Sequence, residues 1–233
     1  MSMRVWFWLA GVALVVGGLM AGVCHLFDFH SPTDVAHLAR YAPLSAPVHV
    51  ALFAGGMLVL LGWFGHFALQ YSTSGTIGFA AFVCLFLGIM WGDLLECILE
   101  FSVFPVLDTI APYALPGLAD ATYQSMPLSV LLAAGHFLLV VGAPAAALAL
   151  YRSRIVPGWP AIPFALTAAL QGLALFPRSG QWVRTSSSTS LYLSLAMLGV
   201  AVLWPVRNRG SYVGAVAEDR NAIYREDSRP AAR

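Results

Sequence analysis

Apolar runs recur six times along this chain, at 5–27, 47–70, 77–101, 129–151, 159–177 and 188–206. A helix needs roughly 20 apolar residues to cross a hydrocarbon core, so each run predicts a membrane span. Between the runs lie turn signals: HSPTD after the first, YSTSGT after the second and RSRIVPGWP after the fourth. Proline and glycine beside charge end one helix and open the next. The fifth run is the shortest, with Pro160 and Pro163 crowding its start and Pro177 its end. The pattern predicts an all-α, polytopic transmembrane bundle of about six spans, one domain over 1–206. The mixed-charge segment 207–233 is expected to be a disordered cytoplasmic tail.

The first run, Val5 to Phe27, exceeds the roughly 7 to 15 residues of a signal-peptide core, so an uncleaved first span is expected. Arginine placement sets orientation. With the N-terminus inside, Arg4, Arg152, Arg154, Arg207 and Arg209 lie on the inner side, against Arg40, Arg178 and Arg184 outside. That bias predicts N-in, C-in. The two long outer loops, 28–46 and 102–128, are placed to cap the bundle or lie along the membrane surface.

Composition agrees with the pattern. Of 233 residues 59% are hydrophobic and 10% charged, where a soluble domain carries about 25% charge. Mean hydropathy is +0.77. The net charge of +1 excludes nucleic acid as an expected partner. Cys24, Cys84 and Cys97 all fall in apolar runs and read as packing thiols. No GxSxG, HExxH, Walker or GxGxxG sequence appears.

Three acids interrupt the third run: Asp93, Glu96 and Glu100 in FAAFVCLFLGIMWGDLLECILEFSVF. A central charge costs about 2.5 to 3.5 kcal/mol on insertion scales, so an intramembrane acid is a candidate site. Helical steps of about 100° put Glu96 near −60° and Glu100 near −20° from Asp93, one shared face. Helix directions bring His49 near the level of Glu100 and His136 near that of Asp93. The expected intramembrane cluster is therefore Asp93, Glu96, Glu100, His49 and His136, with pairs Asp93–His136 and Glu100–His49.

Such groups admit three uses. They can pack helices together, relay protons, or ligate a metal through His49, His136, Asp93 and Glu100. No cofactor is required by the sequence, and a metal ion is the one left open. A second group, His25, His30 and His37 with Asp28 and Asp34, matches no metal spacing and reads as a solvated outer loop. His66 lies near the inner end of its helix, apart from the others.

The Pro/Asp-bearing first outer loop, the inward helix opening at His49, LEFSVFPVL (Leu99 to Leu107) and YRSRIVPGWPAI (Tyr151 to Ile162) resemble a loose group of uncharacterised bacterial polytopic membrane proteins. The resemblance implies a helical bundle in the bacterial inner membrane, with no particular activity. The functional expectation is a non-enzymatic binding or accessory protein, whose partners are the bilayer and a membrane protein or second copy. A small proton- or ion-coupled carrier is the first alternative, and an intramembrane metal-dependent hydrolase or redox enzyme the second.

Overall fold

The computed structural model describes residues 3–27, 35–110, 114–153, 156–176 and 181–204. The predicted tail, 207–233, lies outside them. Among the described residues every regular element is helical. They are α1 (Met3–Leu26), α2 (Val35–Gly88), a π-helical turn π1 (Ile89–Leu94), α3 (Leu95–Ile98), a second π-helical turn π2 (Leu99–Val103), α4 (Phe104–Ile110), α5 (Leu115–Gln124), α6 (Met126–Ser153), α7 (Ala161–Ala174) and α8 (Gln181–Leu203). Among the described residues, those up to Leu203 form one compact unit.

Among the described residues, five helices are long and apolar enough to cross a membrane: Val5–Leu26, Ser45–Tyr71, Thr73–Leu107, Met126–Ser153 and Val183–Leu203. This is the build of a multi-pass membrane protein. The predicted fifth span, 159–177, is instead the 14-residue α7. At about 1.5 Å per residue it reaches roughly 21 Å, short of a core about 30 Å thick. Its start is confined by Pro160, its N-cap, and by Pro163 in the first turn.

The second and third spans are one hairpin. They meet within α2 at Gly75, whose φ of 55° and ψ of −151° leave the helical region. Glycine reaches such a conformation without a Cβ penalty, and open space surrounds it. Below the bend the two arms close on aromatic rings. Phe67 stacks on Phe82 with centroids 4.3 Å apart, and Trp63 Nε1 donates to the Phe82 carbonyl at 3.4 Å.

Glycine sets the remaining helix contacts, as small residues do where lipid tails remove any hydrophobic drive between helices. On one face of α1, a Cβ on Gly17 would strike Gly55 and Leu58 of α2, while Gly62 of α2 abuts Ala10. On the other face Gly11 meets Leu203 and Gly199, and Gly18 meets Tyr192 and Ala196 of α8. Numbers rising along α1 fall along both neighbours, so it is antiparallel to each. The second arm of α2 and π1 pack on α6 in the same antiparallel sense, through Leu85–Gly142, Gly88–Leu139 and Gly92–Gly135. α7 packs between α6 and α8. Tyr192, Phe164, Leu14, Leu52 and Leu85 fill the interior, while Leu61, Phe64, Phe137 and Leu166 face outward, as a lipid-solvated surface allows.

Candidate functional site

The helix that carries the acids is not a regular α-helix. The Leu95 N–H donates to Met90 O and the Phe104 N–H to Leu99 O, each an i to i+5 bond. Such π turns are rare, appear mainly as single bulges and are frequent at functional sites. Asp93 lies in the first and Glu100 in the second, with Glu96 half-buried on the α3 turn between them. The extra residue in each bulge rotates the residues C-terminal to it, so the single face expected from a 100° repeat is divided.

Asp93 is 5% exposed, and Tyr192 of α8, fully buried, donates its hydroxyl to Oδ2 at 2.9 Å. Gly56 of α2 stands beside that hydroxyl, 3.5 Å from where its Cβ would be, and its missing side chain makes room for Leu94. Glu100 is buried as well, and Tyr123 of α5 donates to its Oε1 at 2.7 Å. The same tyrosine ring meets Phe104 edge-on at 5.8 Å. The segment between the acid-bearing span and α6 therefore contributes a helix, α5, that is tied to that span.

His49 and His136 part company. His49 is buried, and its Nδ1 lies 2.9 Å from Ser45 O and 3.2 Å from Ser45 Oγ. One turn along, Phe53 meets Phe101 edge-on at 5.5 Å, so the helix of His49 touches the acid-bearing helix next to Glu100. His136 is exposed, with Nδ1 at 2.8 Å from Leu132 O of its own helix. The expected Asp93–His136 pair is not formed. Depth is right, since Gly92 and Gly135 pack backbone to backbone. Rotation is wrong: Gly135 faces the bundle, and a helical step of about 100° turns its successor outward.

The candidate metal set His49, His136, Asp93 and Glu100 consequently does not converge. Among the described residues no three His, Cys, Asp or Glu side chains are placed to hold a metal ion. Cys24, Cys84 and Cys97 are not joined in disulfides, and Cys97 is buried one turn beyond Asp93.

His25 corrects the outer-loop expectation. It sits in the last turn of α1, is 6% exposed, and its ring lies 5.2 Å from that of Tyr192. His30, Asp28 and Asp34 lie outside the described residues. The site thus becomes Asp93, Tyr192 and His25, drawn from π1, α8 and α1. Sequence reasoning missed Tyr192, although a lone phenol inside an apolar run is itself a signal that a polar partner waits in the bundle.

The chemistry is set by the donor. A phenol hydroxyl can donate to a carboxylate oxygen, where the bond is charge-assisted and stronger, and also to the carbonyl oxygen of a carboxylic acid. Tyr192 is thus a hydrogen-bond partner that suits either form of a carboxyl group. Comparison of the chain with protein-family models, curated proteins and solved structures finds no match.

Proposed function

We propose that the chain is a non-enzymatic, multi-pass protein of the bacterial cytoplasmic membrane that binds and releases a proton at Asp93, as a small proton-coupled carrier does. One observation carries this reading: a carboxyl group buried in a membrane-spanning helix is held by a neutral hydroxyl, Tyr192, and not by an arginine. In hydrocarbon such a group is costly to keep charged, and a proton is the simplest cation to neutralise it. The π turn that displays Asp93 supports the same reading.

The proposal includes six crossings with both termini inside. Its support is the antiparallel pairing of α1 with α8, which sets the Met3 and Leu203 ends together. α6 and α8 run in one direction, so the chain between them, with α7, returns across the height of the bundle. The arginine bias then favours the inside for both ends.

A second reading rests on the same bond. A satisfied carboxyl can serve as a staple between π1 and α8. Reconstitution into liposomes separates the two. Under a potassium diffusion potential, an internal pH dye should report proton entry several-fold above empty vesicles. Asp93→Asn, which keeps shape and a hydrogen-bonding oxygen, should return it to background while the protein still elutes as a folded species. Equal flux in wild type and Asp93→Asn would leave only the staple.

A further inference from the structure

Asp93 has a counterpart toward the other end of the bundle. Gly56 stands beside the Tyr192 hydroxyl, and ten residues further along the same helix, about 15 Å by its rise, is His66. His66 is 1% exposed and stacks on Trp63 with centroids 5.6 Å apart. Neither ring nitrogen meets the geometry of a hydrogen bond, although the Gln70 side chain stands beside it. A neutral imidazole carries one donor and one acceptor, and leaving each of them buried without a partner is costly. Packing alone does not account for a histidine at this position, because a phenylalanine would stack on Trp63 without that cost.

The polar character continues from His66 to the end of the bundle. Gln70, 4% exposed, donates from Nε2 to Ser153 Oγ at 3.1 Å. Ser153 is the last residue of α6, and its neighbour Arg152 is exposed. Thr73 and Ser74 donate to the Gln70 carbonyl at 3.2 and 2.8 Å, beside the Gly75 bend. The neighbouring elements bring neutral groups to this region. Ala10 of α1 abuts Gly65, Ser153 of α6 meets Gln70, and Phe164 of α7 lies 6.3 Å from Trp63. On the far side of the buried layer of Leu14, Val59 and Leu60, the Asp93–Tyr192 pair extends to His25 in the last turn of α1. Two polar strings thus run in opposite directions from one apolar layer.

We infer that His66, Gln70 and Ser153 are a second proton station, through which the proton held at Asp93 exchanges with water at the Ser153 end. The inference rests on the proton-binding reading of Asp93. His66 takes a proton at one ring nitrogen and gives one up from the other, so its charge is restored. Water entering along Gln70 and Ser153 accepts the released proton, and water admitted to the apolar layer carries the proton between the stations. His66 is a relay residue here, and Gln70 a positioning one.

The test compares His66→Gln, Gln70→Leu and Asp93→Asn with wild type in proteoliposomes, with two readouts. One is proton flux from an internal pH dye. The other is covalent labelling of Asp93 by dicyclohexylcarbodiimide, located by mass spectrometry. His66→Gln should lower flux tenfold or more while Asp93 labels as in wild type. Asp93→Asn should lose both. Gln70→Leu, which leaves the imidazole in place, should lower flux at least threefold, and it decides the matter if His66→Gln does not fold. Wild-type flux in both His66→Gln and Gln70→Leu, with Asp93→Asn silent, would overturn the second station and leave the role of Asp93 standing. Wild-type flux in Asp93→Asn would overturn that role instead, and the second station with it.

Discussion

A tyrosine in the middle of a membrane helix must place its hydroxyl on some acceptor, and Tyr192 finds one 99 residues earlier in Asp93. Tyr192→Phe removes the donor and leaves the buried carboxyl facing carbon. Polar contacts between membrane helices contribute about 0.6 kcal/mol on average and up to about 1.7. Loss of the donor should therefore lower the melting temperature measurably in mild detergent. A double-mutant cycle with Asp93→Asn should return a coupling of about 0.5 to 1.7 kcal/mol, whereas purely additive effects would show that the contact carries no stability. The acids were legible from sequence because charge stands out in an apolar run, and both Asp93 and Glu100 are buried. Their partners were passed over, since a histidine looks like the natural mate for a carboxyl, and Tyr123 lies outside the apolar runs altogether. His136 shows the same limit. Depth along a helix can be had by counting, but rotation depends on which small residue touches the neighbour, and that residue is Gly135.

At the level of helices, glycine separates sites of strain from sites of contact. Gly75→Ala meets open space, so its cost is that of the backbone alone, about 1 to 3 kcal/mol for a side chain held at such angles. Gly135→Leu must push π1 away from α6, because even a Cβ there collides with the backbone of Gly92. Its expected outcome is failure to yield a monodisperse bundle on gel filtration. Gly172→Ala is the control: nothing lies within 4 Å of its Cβ, and inside α7 the change should cost nothing. A melting series on the three variants checks the order, and a loss at Gly172 as large as at Gly75 would contradict it. Helix positions were readable from hydropathy alone. The π turns were not, because an inserted residue leaves the composition of GIMWGDLLECILEF unchanged and alters only its register.

The chain as a whole joins those helices so that α1 lies against both α2 and α8. Sequence counting expected six spans, and among the described residues five helices meet the length of a membrane crossing. The sixth falls short because prolines bound α7, yet its place between α6 and α8 is where a returning segment must pass. If six segments cross, reporters fused at the two ends should light on the same side of the membrane. Opposite sides would mean that α7 does not cross. The most direct measurement concerns Asp93 itself. An infrared difference spectrum between acidic and alkaline samples of the reconstituted protein should contain a carboxylic-acid carbonyl band that titrates, and Asp93→Asn should remove that band. A spectrum in which no carbonyl band changes with pH, or whose changing band survives in Asp93→Asn, would contradict proton binding at this site.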